Sequence, residues 1–447
     1  MHLLKKYIGD LFLPTRFFVI LTGFIALFIM AFYLRAIFGV VVIGCMAFMA
    51  LVAADYAFLF FPRKVPVARR ITAGRMSNGD ENIIELLIRN EYRFAARVTV
   101  IEELPAQFQD RKWKREISVS PTQSARITYR LTPKQRGAYH FGDIHLMVST
   151  PLGLLIRRCT SPAAEEVPVY PAFMQLHKYE LFSNAILQTE GGGHRMPKIG
   201  QSMEFEQIKD YVNGDDIRRI NWKATARKSN LMVNHFVDER SQLVYSIIDK
   251  GRLMKMPFGG LTLLDYAINS CLVLSNVCLK KGDRAGVITF SNTLGSVLAA
   301  DRKATQNERI LQLLYNQTTD FLESDFEMLY LKVRSLIKNR SLIVLYTNFE
   351  SMSGLNRQLE YLRAIAAHHL LLVVFFENSE LDSLTLSHAS SIEEVYIKTT
   401  AEKFAFEKRL IARELMKYGI LSLLTSPKKL TVNAINKYLE LKTRQAI

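Results

Sequence analysis

Cysteine is scarce in this sequence. Four occur in 447 residues, Cys45, Cys159, Cys271 and Cys278, with no Cys-x-x-Cys spacing and one of them inside an apolar run. That usage excludes a disulfide framework and a thiolate zinc site, and it fits a reducing compartment. The Gly-Lys-Ser/Thr ending of a phosphate-binding loop is missing after Gly191-Gly192-Gly193, which therefore reads as a flexible joint. No nucleic-acid recognition motif is present, nor the aromatic and basic interleaving of single-strand binders, so no nucleic-acid partner is expected. No serine, cysteine or histidine nucleophile stands in register with a base, so no catalytic residue is assigned and no cofactor is implied.

What is there begins with apolar content. Hydrophobic residues make up 49% of the chain, enough for a sizeable core plus something more apolar. Lys and Arg number 58 against 42 Asp and Glu, a net charge of +16, which favours anionic partners such as membrane surfaces or acidic proteins. From Phe17 to Leu34 no charge interrupts the sequence, and a second apolar run follows Arg35, from Ala36 to Ala54. Each is about the length of a membrane-crossing helix. Residues 1–62 are thus expected to form a two-helix transmembrane hairpin, with helices at about 17–34 and 36–54, in contact with membrane lipids. Lys5, Lys6 and Arg16 precede it and Arg63, Lys64, Arg69 and Arg70 follow it. The positive-inside rule places both termini and everything after the hairpin in the cytoplasm.

Residues 63–175 change to a period of two, as in Ala125, Ile127, Tyr129 and Leu131, with similar short runs at NIIELLIRN, AARVTVIEEL and GAYHFGDIHLMVS. Turn-forming stretches such as Ser77-Asn78-Gly79-Asp80 separate them, and a β-sandwich-like module is expected. Residues 176–240 form a linker and a dense mixed segment. There Asp215 or Asp216 is placed to cap a short helix through Ile217, Arg218 and Ile220, with Trp222 as its large apolar contact and Arg227 as a forked donor to a carboxylate. This reads as an internal brace. The alternative is a hydrolase or transferase site using Glu204, Asp215, Asp216 and Arg227.

From residue 241 to 447, strand and helix patterns alternate. LVYSIID ends in Asp249, and DRAGVITF, SLIVLYT and LLLVVFF are further buried-strand candidates, which together argue an α/β domain with a parallel sheet covered on both faces. Ligands in such sheets gather at the carboxyl ends of strands, where Asp249 and Asn348 fall.

Two resemblances attach to these residues. Glu204-Phe205, Tyr211, Gly214-Asp215-Asp216, Arg218, Ile220, Trp222 and Thr225-Ala226-Arg227 resemble the signature of the bacterial domain-of-unknown-function 58 family, with Asn221 where the family usually has Asp. Arg136-Gly137-x-Tyr139 and Pro151-Leu152-Gly153-Leu154 fit the same family, whose order of parts resembles nearly the whole chain. It implies partnership with a MoxR-type AAA+ ATPase, this chain acting as a membrane-anchored, non-catalytic adaptor in assembly or maintenance of envelope or membrane complexes. The alternating region resembles the von Willebrand factor A fold, a Rossmann-type α/β architecture whose Asp-x-Ser-x-Ser loop helps hold a divalent cation. Here the loop reads Asp249-Lys250-Gly251-Arg252-Leu253, and Asn348 stands for a later aspartate. Too few oxygen ligands remain for a hard cation, so a degenerate metal site is expected around Asp249, Gly251, Leu253 and Asn348. Asp249 is expected to cap a helix or pair with Lys250 or Arg252.

Overall fold

The computed structural model describes residues 9–62, 64–174, 204–212, 217, 220–228, 230–237, 241–319, 321–378, 391–444 and 446. The chain divides into two compact units, Met1–Tyr170 and Pro171–Ile447.

In the first unit a short strand, β1 (Leu11–Phe12), leads into helix α1 (Thr15–Tyr33). A single 3-10 turn at Arg35–Ile37 connects it to α2 (Phe38–Phe60). Both helices are long and apolar enough to cross a membrane. They lie against each other, with Phe48 meeting Phe17 and Phe24 at ring-centroid distances of 5.8 and 5.5 Å.

The expected end of the second helix at Ala54 is corrected. The helix runs through Asp55 to Phe60 because the carboxylate is fully satisfied inside the protein. Asp55 accepts from the Thr150 hydroxyl and from the backbone N–H groups of Leu154 and Leu155, the latter at 2.8 Å. Leu154 belongs to the Pro151-Leu152-Gly153-Leu154 turn and Thr150 and Leu155 flank it, and within the turn Gly153 takes φ +66°. A left-handed residue there favours glycine, which gives that sequence motif a physical role. One turn further on, the Leu59 carbonyl accepts from Tyr92 and Arg157, and the Arg157 guanidinium lies 4.8 Å over the Phe60 ring.

The strands of this unit are β2 (Val67–Ile71), β3 (Met76–Ser77), β4 (Asn82–Arg89), β5 (Ala96–Glu102), β6 (Lys114–Val119), β7 (Ser124–Leu131), β8 (Gly137–Phe141), β9 (Ile144–Ser149), β10 (Ile156–Ser161) and β11 (Glu165–Tyr170). They form one sheet in the order β1-β10-β9-β5-β6 and two three-stranded sheets, β2-β4-β7 and β3-β11-β8. Alternate residues of β4, β5 and β9 are buried, as the period of two requires, and all contribute to one hydrophobic core with Leu59 and Phe60. A buried ion pair crosses it: Arg70 Nε donates to Glu102 at 2.5 Å, Tyr129 donates to the same carboxylate, and Arg70 also reaches the Ala163 and Gly142 carbonyls. Each polar atom there is satisfied, the condition under which buried charge is tolerable.

In the second unit, β12 (Glu204–Asp210) pairs antiparallel with β13 (Met232–Val237), and α3 (Trp222–Lys228) lies between them in sequence. Then follow β14 (Leu243–Asp249), a short hairpin of β15 (Pro257–Phe258) and β16 (Leu261–Thr262), α4 (Leu263–Lys280), β17 (Arg284–Phe290), β18 (Leu294–Asp301), α5 (Gln306–Tyr315), α6 (Phe326–Leu336), β19 (Leu342–Tyr346), α7 (Met352–Ala366), β20 (Leu370–Phe376), α8 (Ile392–Lys417), β21 (Leu421–Thr425) and α9 (Leu430–Thr443). The main sheet is mixed, in the order β18-β17-β14-β19-β20-β21, with only the β17–β18 pair antiparallel. Residues of both faces of β14, β17, β19 and β20 are buried, so these strands read as continuous apolar runs. Helix α4 packs with α5 and α9, and α6 packs with α7, which in turn meets α8. Cys271 and Cys278 lie buried on α4, and burial pushes the Cys271 thiol up to about 12.

Candidate functional site

The carboxyl ends of β14 and β19 bring two loops together with the segment before α6. Asp249, the last residue of β14, is buried. It accepts from the Gly251 N–H at 2.8 Å, from the Ser324 hydroxyl, and from the Thr347 hydroxyl at 2.7 Å. Burial pushes its carboxyl above the usual range, and these three donors oppose that rise. Asp249 therefore neither caps a helix nor pairs with a neighbouring cation, which corrects the expectation. Arg252 turns instead to Glu323 at 2.8 Å, with Arg357 behind it at 3.9 Å.

Gly251 has a steric cause. A Cβ at that position would strike Ser324 Oγ, so the hydroxyl that occupies this place comes from another loop. The contribution of Ser324 was not visible in the sequence, because it lies 75 residues from Asp249.

Asn348 accepts from Lys408 Nζ of α8 at 2.6 Å. Burial pushes the Lys408 ammonium down to about 8, against the pull of Glu350. With one carboxylate already holding three donors and an ammonium on Asn348, the donor set does not fit a hard divalent cation. The residues around it, including Asp249, Leu253, Ser324, Asn348, Glu350 and Arg357, line a cleft of about 110 Å³. It lies at the amino end of α7, where Ser351 caps Gly354 N–H.

The signature segment is built as a separate feature of this unit. Tyr211 N–H donates to Leu231 O at 2.8 Å, Asn221 N–H to Met232 O at 2.8 Å, and Ile220 bridges Val233. Asn221 opens α3 by accepting from Ala224 N–H at 3.0 Å, and its amide donates to Asn234. Ile217 has 3-10 conformation and its carbonyl accepts from Ile220 N–H at 3.3 Å, while a separate helix, α3, starts at Trp222 behind the Asn221 cap. Trp222 is 69% exposed instead of packed, and Val212, Ile217 and Leu231 are exposed as well. Arg227 is also exposed. Glu204 and Phe205 lie on β12, while Gly214, Asp215, Asp216 and Arg218 fall outside the described residues.

Residues 207–413 match the family model described as Protein of unknown function DUF58. The uncharacterized protein YeaD of Bacillus subtilis (strain 168) is 26% identical over 196 residues, which is 42% of this chain and 48% of that one. The match thus spans about half the relative's length. Among solved structures, the CARDB domain of the PF1109 protein from Pyrococcus furiosus has a TM-score of 0.17 and 15% identity, over 23% of this chain and 91% of that one. Proximal thread matrix protein 1 from the mussel byssus has a TM-score of 0.23 and 10% identity, over 43% and 45%. Both structural likenesses are too slight to carry a fold argument. Residues 207–413 thus carry a DUF58 family match, and the similarity to the Bacillus relative supports it.

Proposed function

We propose that this chain is a membrane-anchored, non-catalytic interaction protein of the bacterial cytoplasmic membrane, with its termini and both soluble parts in the cytoplasm. Its partner is a MoxR-type AAA+ ATPase, and the pair serves assembly or maintenance of envelope or membrane complexes. The observation that carries this reading is Trp222: a large aromatic in the family signature is exposed, with Val212, Ile217 and Leu231 exposed beside it in the same segment. Such side chains contribute nothing to a core and are the usual anchors of protein–protein contacts. The strand order of the main sheet supports a von Willebrand factor A-like domain. Its strand-end cleft, with a charged Arg252, Glu323 and Arg357 rim, suits recognition by complementary charge.

Affinity purification of the tagged full-length protein from native membranes, followed by mass spectrometry, tests this. An AAA+ ATPase should be enriched with the unaltered chain and depleted about tenfold or more by Trp222→Ala, the loss of a hot-spot aromatic. Equal recovery with both chains would remove the signature from the interface. ATP hydrolysis by the purified chain alone would contradict the non-catalytic reading.

A further inference from the structure

Both ends of the helical hairpin are built into the β-rich unit without a linker. Before α1, β1 pairs with β10, and the Asp10 carbonyl accepts from Arg158 N–H at 2.8 Å. At the end of α2, Asp55, Leu59 and Phe60 are buried in the same unit. Phe48 sits between Phe17 and Phe24, so the antiparallel helices are in a fixed register. Asp55, seven residues and about 10 Å beyond Phe48, falls level with the Leu13–Thr15 start of α1. From Phe38 to Ala54 the charge-free part of α2 is about 25 Å long, close to a hydrocarbon core. On the membrane-spanning reading of α1 and α2, the bilayer core ends at Asp55 and the residues clasped around it lie at headgroup depth.

The side chains there are not those of an ordinary soluble surface. Phe12, Leu13, Phe58, Phe61 and Leu152 are all exposed. Exposed Arg16, Lys64 and Arg93 are interspersed with them. Arg93 adjoins Phe94, whose ring meets Phe58 at 6.3 Å, and Arg16 reaches within 3.7 Å of where a side chain at Gly153 would start. Aromatic and aliphatic groups mixed with cations at this depth match the chemistry of a membrane interface.

We propose that this collar is an anionic-lipid-binding surface. The five apolar side chains enter the headgroup zone, and Arg16, Lys64 and Arg93 take phosphate groups, so the first unit rests directly on the bilayer. The proposal stands on the reading of α1 and α2 as membrane-spanning. Its test uses the full-length chain with Cys45→Ala, since Cys159, Cys271 and Cys278 are buried, labelled with bimane at a single introduced cysteine. Nanodiscs of phosphatidylcholine alone, or equimolar with phosphatidylglycerol, carry a headgroup spin-labelled lipid as quencher. Ile83 is the reference site: it is exposed, and it lies six residues along β4 from Arg89, about 20 Å from the strand end that leads to Tyr92 and the Leu59 clasp.

Leu152→Cys should be quenched at least about twofold more than Ile83→Cys, as expected for a group sitting in the headgroup zone. Quenching should be greater with phosphatidylglycerol, and that increase should vanish in the Arg16→Glu, Lys64→Glu, Arg93→Glu triple variant. Quenching at Leu152 no greater than at Ile83, or equal in both lipid compositions, would overturn the proposal. A label at Ile25 that escapes an acyl-chain quencher would instead sink the membrane-spanning reading beneath it.

Discussion

A serine at position 251 would place its Cβ against Ser324 Oγ, so Gly251 and Ser324 are a coupled pair. Gly251→Ser should destabilise the second unit by about 1–3 kcal/mol, the usual cost of overpacking. Ser324→Ala in the same chain should recover part of that loss, because the new hydroxyl can then donate to Asp249; thermal melts of the single and double variants decide it. Lys408 gives a pH signature. Its ammonium loses its proton at about 8 in the folded chain and near the ordinary 10.5 when unfolded. Between those values the folded state binds fewer protons, so the Lys408 contribution makes stability rise with pH, and the desolvation penalty is fully present below about 8. Lys408→Met should flatten that rise, seen by comparing urea midpoints of the two chains at neutral and alkaline pH. The sequence showed Asp249 and Asn348 at strand ends. It did not show that Ser324 and Lys408 complete the cluster, because both arrive from elements far along the chain.

Elements were readable where one face or both faces are buried. The alternation of β4 and β5 and the continuous apolar runs of β14, β19 and β20 follow from that rule. The end of α2 was not readable, since a carboxylate inside an apolar run ordinarily marks a boundary, and the groups that accommodate Asp55 lie 95 to 100 residues away. Helix α3 was not read from the sequence, because its start is set by a local side-chain contact, Asn221 accepting from Ala224 N–H. Asp55→Ala leaves one buried hydroxyl and two buried N–H groups without an acceptor, and should cost the first unit about 2–4 kcal/mol. Faster proteolysis of the 150–155 turn in detergent would report that loosening; an unchanged cleavage rate would mean that the clasp is dispensable.

For the whole molecule, the proposed membrane-spanning hairpin is clasped into the first unit, while the second unit presents the exposed Trp222 and the strand-end cleft. Charge alone, at +16, did not distinguish a lipid from a protein partner. The distribution of exposed aromatics separates the two proposals: Phe12, Phe58 and Phe61 flank the apolar hairpin, where lipid is proposed, and Trp222 lies in the DUF58-matching region, where a protein is proposed. The most direct test of the interaction reading replaces Trp222 with a photo-crosslinking phenylalanine analogue in the full-length chain and irradiates native membranes. The account predicts a discrete covalent adduct containing an AAA+ ATPase, lost when unlabelled partner complex is supplied in excess. Irradiation that yields adducts with lipid alone, or no adduct, at a membrane-inserted and folded chain would contradict it.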